Sequence, residues 1–394
     1  MTSGAARYFS LIFGRIHVSR TISCFPLAIA IALGAATRTA SAQRTTLGDI
    51  DRFVAQEMAR QHIPGIAVGI YTNGKIALVK GYGLANVELD VPVKPATIFQ
   101  SGSVGKQFTS AAIMMLVEEG KIGLDDSLPK YFPDAPATWR GITIRQLLSH
   151  TSGLADYASD SLTKPGGPIN LRADYTEDQL VQVIETLPIE FAPGEDWAYC
   201  NSNYLLLGAV IRKVTGKFYG DVLQERIFKP LGMTRTRIIS EADIVPNRAA
   251  GYQLVGGKLK NQDWVSPSFN TTADGALYFN VLDLAKWDAA LYGEKLLKKS
   301  SFDQMWTVAK LKNGQPNSHH YGFAWFIDSI NGHRVIQHSG SWQGFKTYIA
   351  RYVDDRVTVV VLANLGDADQ AVIAHGIAGL YRHELTPPAQ SAGH

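Results

Sequence analysis

A serine and a lysine three residues apart can serve as nucleophile and proton acceptor if a helical turn puts both side chains on one face. The pattern S-x-x-K occurs three times, as Ser103 with Lys106, Ser127 with Lys130 and Ser161 with Lys164. Pro129 interrupts the second, and the third runs into Pro165-Gly166-Gly167, so neither belongs to a helix interior. The first leads into Phe108, Ala112, Met115 and Leu116, a buried-face spacing that stops at Gly120. A serine at such a helix start has backbone amides and the positive dipole end beside its oxygen. Taken alone, the same residues also read as an N-cap serine and a solvated first-turn lysine.

Two further constellations matter because acyl chemistry needs a second proton carrier and a substrate-holding edge. Tyr-x-Asn occurs at Tyr71, Tyr199 and Tyr278, but Asn73 is already spent in a turn. Tyr199 and Asn201 follow a Pro-Gly loop and begin a helix whose Leu205, Leu206, Val210 and Val214 read as core. A basic residue, a small residue and glycine end an alternating strand at His338-Ser339-Gly340, whereas comparable triplets from Lys164, Lys312 and His320 lie in or beside loops. A half-buried core tyrosine and a structural histidine are the plain alternatives for Tyr199 and His338.

These residues need elements to hold them. Residues 47–62 carry Ile50, Phe53, Val54 and Met58 on one helical face and stop at Pro64-Gly65. Alternating apolar residues flank Asn73-Gly74, a pair that favours a type I′ hairpin turn. The far end mirrors this, with turns at Asn331-Gly332 and Asp354-Asp355 and a helical stretch from about Asp367 to Arg382. Between them, capping boxes at Thr143 with Gln146 and at Thr176 with Gln179, and helical patterns over 201–214 and 281–291, dominate. The expected fold class is α/β (α+β): an antiparallel sheet built from both ends of the chain, flanked by the terminal helices, with a mostly helical region inserted. The α/β part covers about 47–123 and 307–385, and the helical part about 124–306.

The chain of 394 residues is 46% hydrophobic and 19% charged, which is globular composition. Its first 42 residues hold Arg7, Arg15, Arg20 and Arg38, no acid, an apolar run from Cys24 to Ala36, and an A-x-A site at Ala40-Ser41-Ala42. That pattern predicts a signal peptide cut near Ala42, leading to a periplasmic or secreted protein with no stable membrane span. Cleavage leaves 34 Lys and Arg against 35 Asp and Glu, so the net charge moves from +3 to −1 and nucleic acid is not an expected partner. Cys200 alone would remain, which excludes an intramolecular disulfide.

The three triplets, in this order and spacing, resemble the active-site set of the serine β-lactamase and penicillin-binding-protein superfamily, in the branch of class C β-lactamases, DD-peptidases and related esterases. LLSHTSGL at 147–154, FAPGEDWAYCNSNYLLLG at 191–208, DGALYFNVLDLAKW at 274–287 and HSGSWQGF at 338–345 extend the similarity over most of the chain. The resemblance implies a cleft between an α/β and a helical domain, a small-molecule or peptide substrate, and an acyl-serine intermediate on an amide or ester. It implies Ser103 as nucleophile, Lys106 as acceptor of its proton, and Tyr199 as partner base. It further implies that the backbone N–H groups of Ser103 and Ser341 form an oxyanion hole, and that Asn201, His338, Ser339 and Gly340 bind substrate. Lys106 could act this way only if burial and neighbouring positive charge lowered its pKa.

Two departures from the family pattern stand out, the first bearing on the substrate and the second expected to have little effect. His338-Ser339-Gly340 stands where class C β-lactamases usually carry Lys-Thr-Gly, which disfavours efficient cephalosporin hydrolysis, and Cys200 lies between Tyr199 and Asn201 where serine is more common. No H-E-x-x-H, G-x-S-x-G or phosphate-binding glycine loop is present, so no metal or cofactor is expected. The competing class is a non-catalytic module that binds penicillin or wall fragments on the same fold.

Overall fold

Asn73 and Gly74 take φ of 54° and 70°, as a type I′ turn requires. They join β1 (Gly65–Thr72) to β2 (Lys75–Asn86) in a computed structural model that describes residues 48–164 and 166–388. The expected signal segment lies outside the described residues. A two-residue strand, β3 (Val91–Pro92), edges β2. At the other end of the chain, β4 (Phe326–Ile330) turns at Asn331-Gly332 into β5 (His333–Trp342). Then follow β6 (Phe345–Tyr352) and β7 (Val357–Ala363). Arg356 is the left-handed residue of the last turn, one position beyond the expected Asp354-Asp355 pair.

The seven strands are ordered β3-β2-β1-β7-β6-β5-β4, every pair antiparallel. The two ends of the chain meet at β1 and β7, in register from Ile66 opposite Ala363 to Thr72 opposite Val357. Both strands are buried on both faces, which is why their sequences are continuous apolar runs. Ile66, Val68, Ile70, Val359 and Val361 pack with Ile50 and Val54 of α1 (48–61) and with Ile373 and Ile377 of the C-terminal helix, Gln370–Tyr381. The alternate residues Ala67, Tyr71, Val360 and Leu362 face the second core, shared with the helices of the middle region.

The region contains α3 (Ile144–Leu148), α4 (Glu177–Glu185), α5 (Asn201–Thr215) and α6 (Val281–Ala290), and it is preceded by α2 (Lys106–Glu118). Both capping boxes form with reciprocal side-chain and backbone bonds, at Thr143/Gln146 and Thr176/Gln179. α2 is buried on every side from Lys106 to Leu116, and it ends before Gly120, whose φ is +68°. Small strands also occur here: Phe99–Gln100, Leu277–Phe279 and Arg237–Ile238 form one sheet, and Tyr252–Val255 pairs with Lys258–Asn261. Strands of two to four residues are too short to carry a readable alternation. The described residues from Asp49 onward form one compact unit, and among the described residues no helix is long and apolar enough to cross a membrane.

Candidate active site

Ser103 sits in a 3₁₀ turn, Gly102–Gly105, that runs directly into α2. It is therefore not the cap of that helix. Gly102 has φ +50°, and a Cβ there would stand 2.4 Å from the backbone nitrogen of Ser341. On the facing strand β5, a Cβ on Gly340 would stand 2.1 Å from the Ser101 carbonyl oxygen. Two glycines thus allow β5 to lie against the serine turn at a distance no other residue permits. The Thr347 hydroxyl on β6 donates to the same Ser101 carbonyl at 2.6 Å and fixes the turn on the sheet.

Lys106 is fully buried, contrary to a solvated first-turn residue. Its Nζ lies 3.0 Å from Ser103 Oγ, 2.7 Å from Asn201 Oδ1 and 2.6 Å from the backbone carbonyl of Asp274. Burial lowers its pKa to about 8, while Asp274, Asp156 and Cys200 pull the other way. The positive neighbour expected from sequence is absent from these causes; desolvation alone brings the amine close to neutrality. Asn201 Oδ1 and the Asp274 carbonyl can only accept hydrogen bonds. A neutral amine would give them its two N–H groups and turn its lone pair toward Ser103.

Tyr199 comes from the Pro-Gly loop before α5, and its hydroxyl is buried with no hydrogen-bond partner among the described residues. Its ring lies 4.9 Å from Lys106 Nζ and 4.3 Å, centroid to centroid, from His150. Burial, opposed by proximity to the Ser103 hydroxyl, raises the phenol well above its ordinary value. In this state the Tyr199 phenol is protonated.

His338 and Ser339 occupy opposite faces of β5. His338 is buried, its Nδ1–H donating to the Ser339 carbonyl at 2.6 Å and its Nε2 meeting the Tyr321 hydroxyl at 3.0 Å. Desolvation holds it neutral, with a pKa near 3. Ser339 is opposite Tyr348, which packs with the terminal helices. Asn201 gives one of the two N–H groups of its Nδ2 to Asp156 at 3.0 Å, which leaves the second donor of the amide unused by that bond.

Ser103, Asn201, Asp274, Ser341 and Trp342 line a cleft of about 400 Å³. One wall is Tyr157, whose hydroxyl donates to Asp274 Oδ2 at 2.9 Å and whose ring stacks on Phe269. Sequence reasoning missed Asp156, Asp274, Tyr321 and His150. His150 and Asp274 lie inside the phrases LLSHTSGL and DGALYFNVLDLAKW, and Asp156 follows directly in ADYASD, so their positions were marked without their roles.

A protein-family model described as Beta-lactamase matches residues 50–381. Penicillin-binding protein 4* of Bacillus subtilis (strain 168) is 32% identical over 304 residues, covering 74% of this chain and 66% of that protein. The chain thus spans slightly under two thirds of that relative's length. The octameric penicillin-binding protein homologue from Pyrococcus abyssi superposes with a TM-score of 0.74 at 30% identity, covering 85% of this chain and 77% of the other. A D-stereospecific amidohydrolase from Streptomyces sp. gives 0.70 at 26%, covering 86% and 99%. A turn held against a central strand by glycine, a serine with a buried lysine behind it, and a match across 50–381 coincide, and the chain belongs to the β-lactamase family, within the superfamily of serine β-lactamases and penicillin-binding proteins.

Proposed function

We propose that this protein is an exported serine hydrolase that cleaves an amide or ester bond through an acyl-serine intermediate. The observation that carries the reading is the buried Lys106 amine, 3.0 Å from Ser103 Oγ, with its two other contacts made to acceptor-only oxygens. Neutral Lys106 takes the Ser103 proton as Oγ bonds to the substrate carbonyl carbon. The backbone N–H groups of Ser103 and Ser341 receive the developing oxyanion; one such donor is typically worth a hundred- to a thousandfold, order of magnitude, in rate. Tyr199 gives its proton to the departing nitrogen or oxygen as that bond breaks, and recovers one from Lys106. Water then adds to the acyl carbon as its proton passes to the neutral Lys106, and Lys106 returns that proton to Ser103 Oγ as the acyl–oxygen bond breaks and the acid product leaves.

His338 supports this scheme as the neutral partner of Tyr321, shaping the wall behind Tyr199, and not as a cation for a substrate carboxylate. The described residues lining the cleft include the Asp274 carboxylate and no arginine or lysine. Substrates without a carboxylate beside the scissile bond are favoured accordingly, and the Streptomyces amidohydrolase adds amides of D-configured residues to the candidates. Export rests on the Arg-rich, acid-free start, the apolar run and the A-x-A site of residues 1–42.

The test is a turnover screen across nitrocefin, D-alanyl peptides, D-amino-acid amides and short-chain p-nitrophenyl esters, with fluorophosphonate labelling of the parent and of Ser103→Ala. The reading requires labelling and turnover in the parent alone. Equal labelling of Ser103→Ala would refute the nucleophile, and a stable adduct without turnover on any substrate would identify a binding module.

A further inference from the structure

The loop that follows LLSHTSGL contributes a carboxylate to the lysine site from outside all three motifs. Asp156 Oδ1 accepts from the backbone N–H of Asn201 and of Ala158, at 3.0 and 3.1 Å, and its Oδ2 accepts from Asn201 Nδ2 at 3.0 Å. A carboxylate has no donor to offer, so Asn201 must turn its Nδ2 toward Asp156 and its Oδ1 toward Lys106. The opposite rotamer of the amide would set an N–H against the amine. A neutral lysine would then accept from Asn201, and its lone pair would be drawn away from Ser103.

We propose that Asp156 is a positioning residue: it locks the Asn201 amide with its oxygen toward Lys106 and thereby aims the Lys106 lone pair at Ser103. The inference rests on the acyl-serine reading above. Asp156 bonds to Asn201 and to the Ala158 backbone, not to Ser103 or Lys106, and acts through Asn201. The charge of Asp156 also reaches Lys106. Around that amine stand Asp156 and Asp274, Cys200, the neutral rings of Tyr199 and Tyr204, and the two neutral histidines His150 and His338. Among these, Asp156 and Asp274 are the groups that favour the ammonium form most directly, with Cys200 adding to them.

The test measures kcat/KM against pH for the parent, Asp156→Asn, Asn201→Ala and the double variant, on whichever substrate the parent turns over, or as the rate of fluorophosphonate labelling. Asp156→Asn is expected to lower kcat on the order of a hundredfold, the cost of misdirecting a reacting group by about an ångström. Its acid limb should move below the parent's, because a negative charge facing the ammonium has been removed. In the double variant the Asp156 change should add less than about a twofold further loss, since its effect passes through Asn201. Multiplicative losses, or an unshifted limb, would overturn the positioning role while leaving the acyl-serine reading intact. Retention of labelling in Ser103→Ala would overturn both. If Asp156→Asn does not fold, the orientation can be read in the parent by neutron diffraction: deuterons on the Asn201 atom facing Lys106 would overturn the proposal, and deuterons facing Asp156 would uphold it.

Discussion

The Tyr321 hydroxyl donates to Nε2 of His338 across 3.0 Å, and because Nδ1 of the same ring gives its proton to the Ser339 carbonyl, the tautomer of this histidine is fixed. Both groups are buried, so the bond replaces solvent on each. Tyr321→Phe leaves a buried ring nitrogen without a donor, and is expected to cost about 1–3 kcal/mol in urea denaturation at pH 7. An unchanged midpoint would show that water substitutes for the hydroxyl.

Acid should weaken the fold over a defined range. His338 is held near 3 and His375 near 4, and His150 is pushed well below 6.5, in each case first by burial. The unfolded chain binds these protons near the ordinary 6.5, so stability from the three neutral rings is present above that value and is lost as pH falls toward 3–4. Urea midpoints measured from pH 7 down to 4 should decline steadily. A flat profile over that range would contradict the burial of these histidines.

The rate should follow the neutral form of Lys106. With the amine near 8, kcat/KM is expected to rise with pH to a plateau above that value, and Lys106→Met is expected to lower kcat by roughly 10²- to 10⁴-fold. A limb near 6.5 in place of 8 would assign the base to another group.

Gly340→Ala tests the contact between β5 and the serine turn. The added methyl meets the Ser101 carbonyl at 2.1 Å, so either strand or turn must withdraw. Displacement of about 1 Å predicts a loss of roughly a hundredfold in kcat/KM. Circular dichroism should still report a folded protein. Full activity would mean that the turn is free to move without consequence.

Between the sheet and α6, Arg351 and Asp288 form an ion pair at 2.8 Å with side chains essentially inaccessible, and the Thr358 hydroxyl joins Asp288 at 2.7 Å. Removing one partner strands the other charge in a poorly solvating interior. Asp288→Ala should therefore cost about 3–5 kcal/mol by urea denaturation, and adding Arg351→Met should recover part of it. A double variant less stable than the single one would argue that Arg351 serves its ring contacts with Tyr292 and Trp306 more than the pair.

Much of this protein could be read from neighbouring residues alone. The Asn73-Gly74 and Asn331-Gly332 turns, both capping boxes and the helical reading of the residues after Ser103 depend on groups within one turn of each other, and each formed as read. The order of motifs was enough to identify the superfamily and to select Ser103, Lys106, Tyr199, Asn201 and His338 from several matches. Tertiary structure decided what those groups can do. Lys106 meets Asn201 and Asp274 across 95 and 168 residues, and Asn201 meets Asp156 across 45, separations at which no local pattern reports contact. The same holds for the side of β5 on which Ser339 lies, which follows from register with Tyr348, and for the burial that lowers the pKa of Lys106 and keeps Tyr199 protonated and His338 neutral. Residue type sets the chemistry available to a side chain, but its pKa and the direction of its lone pairs are set by the low-dielectric, hydrogen-bonded surroundings that distant parts of the chain assemble around it.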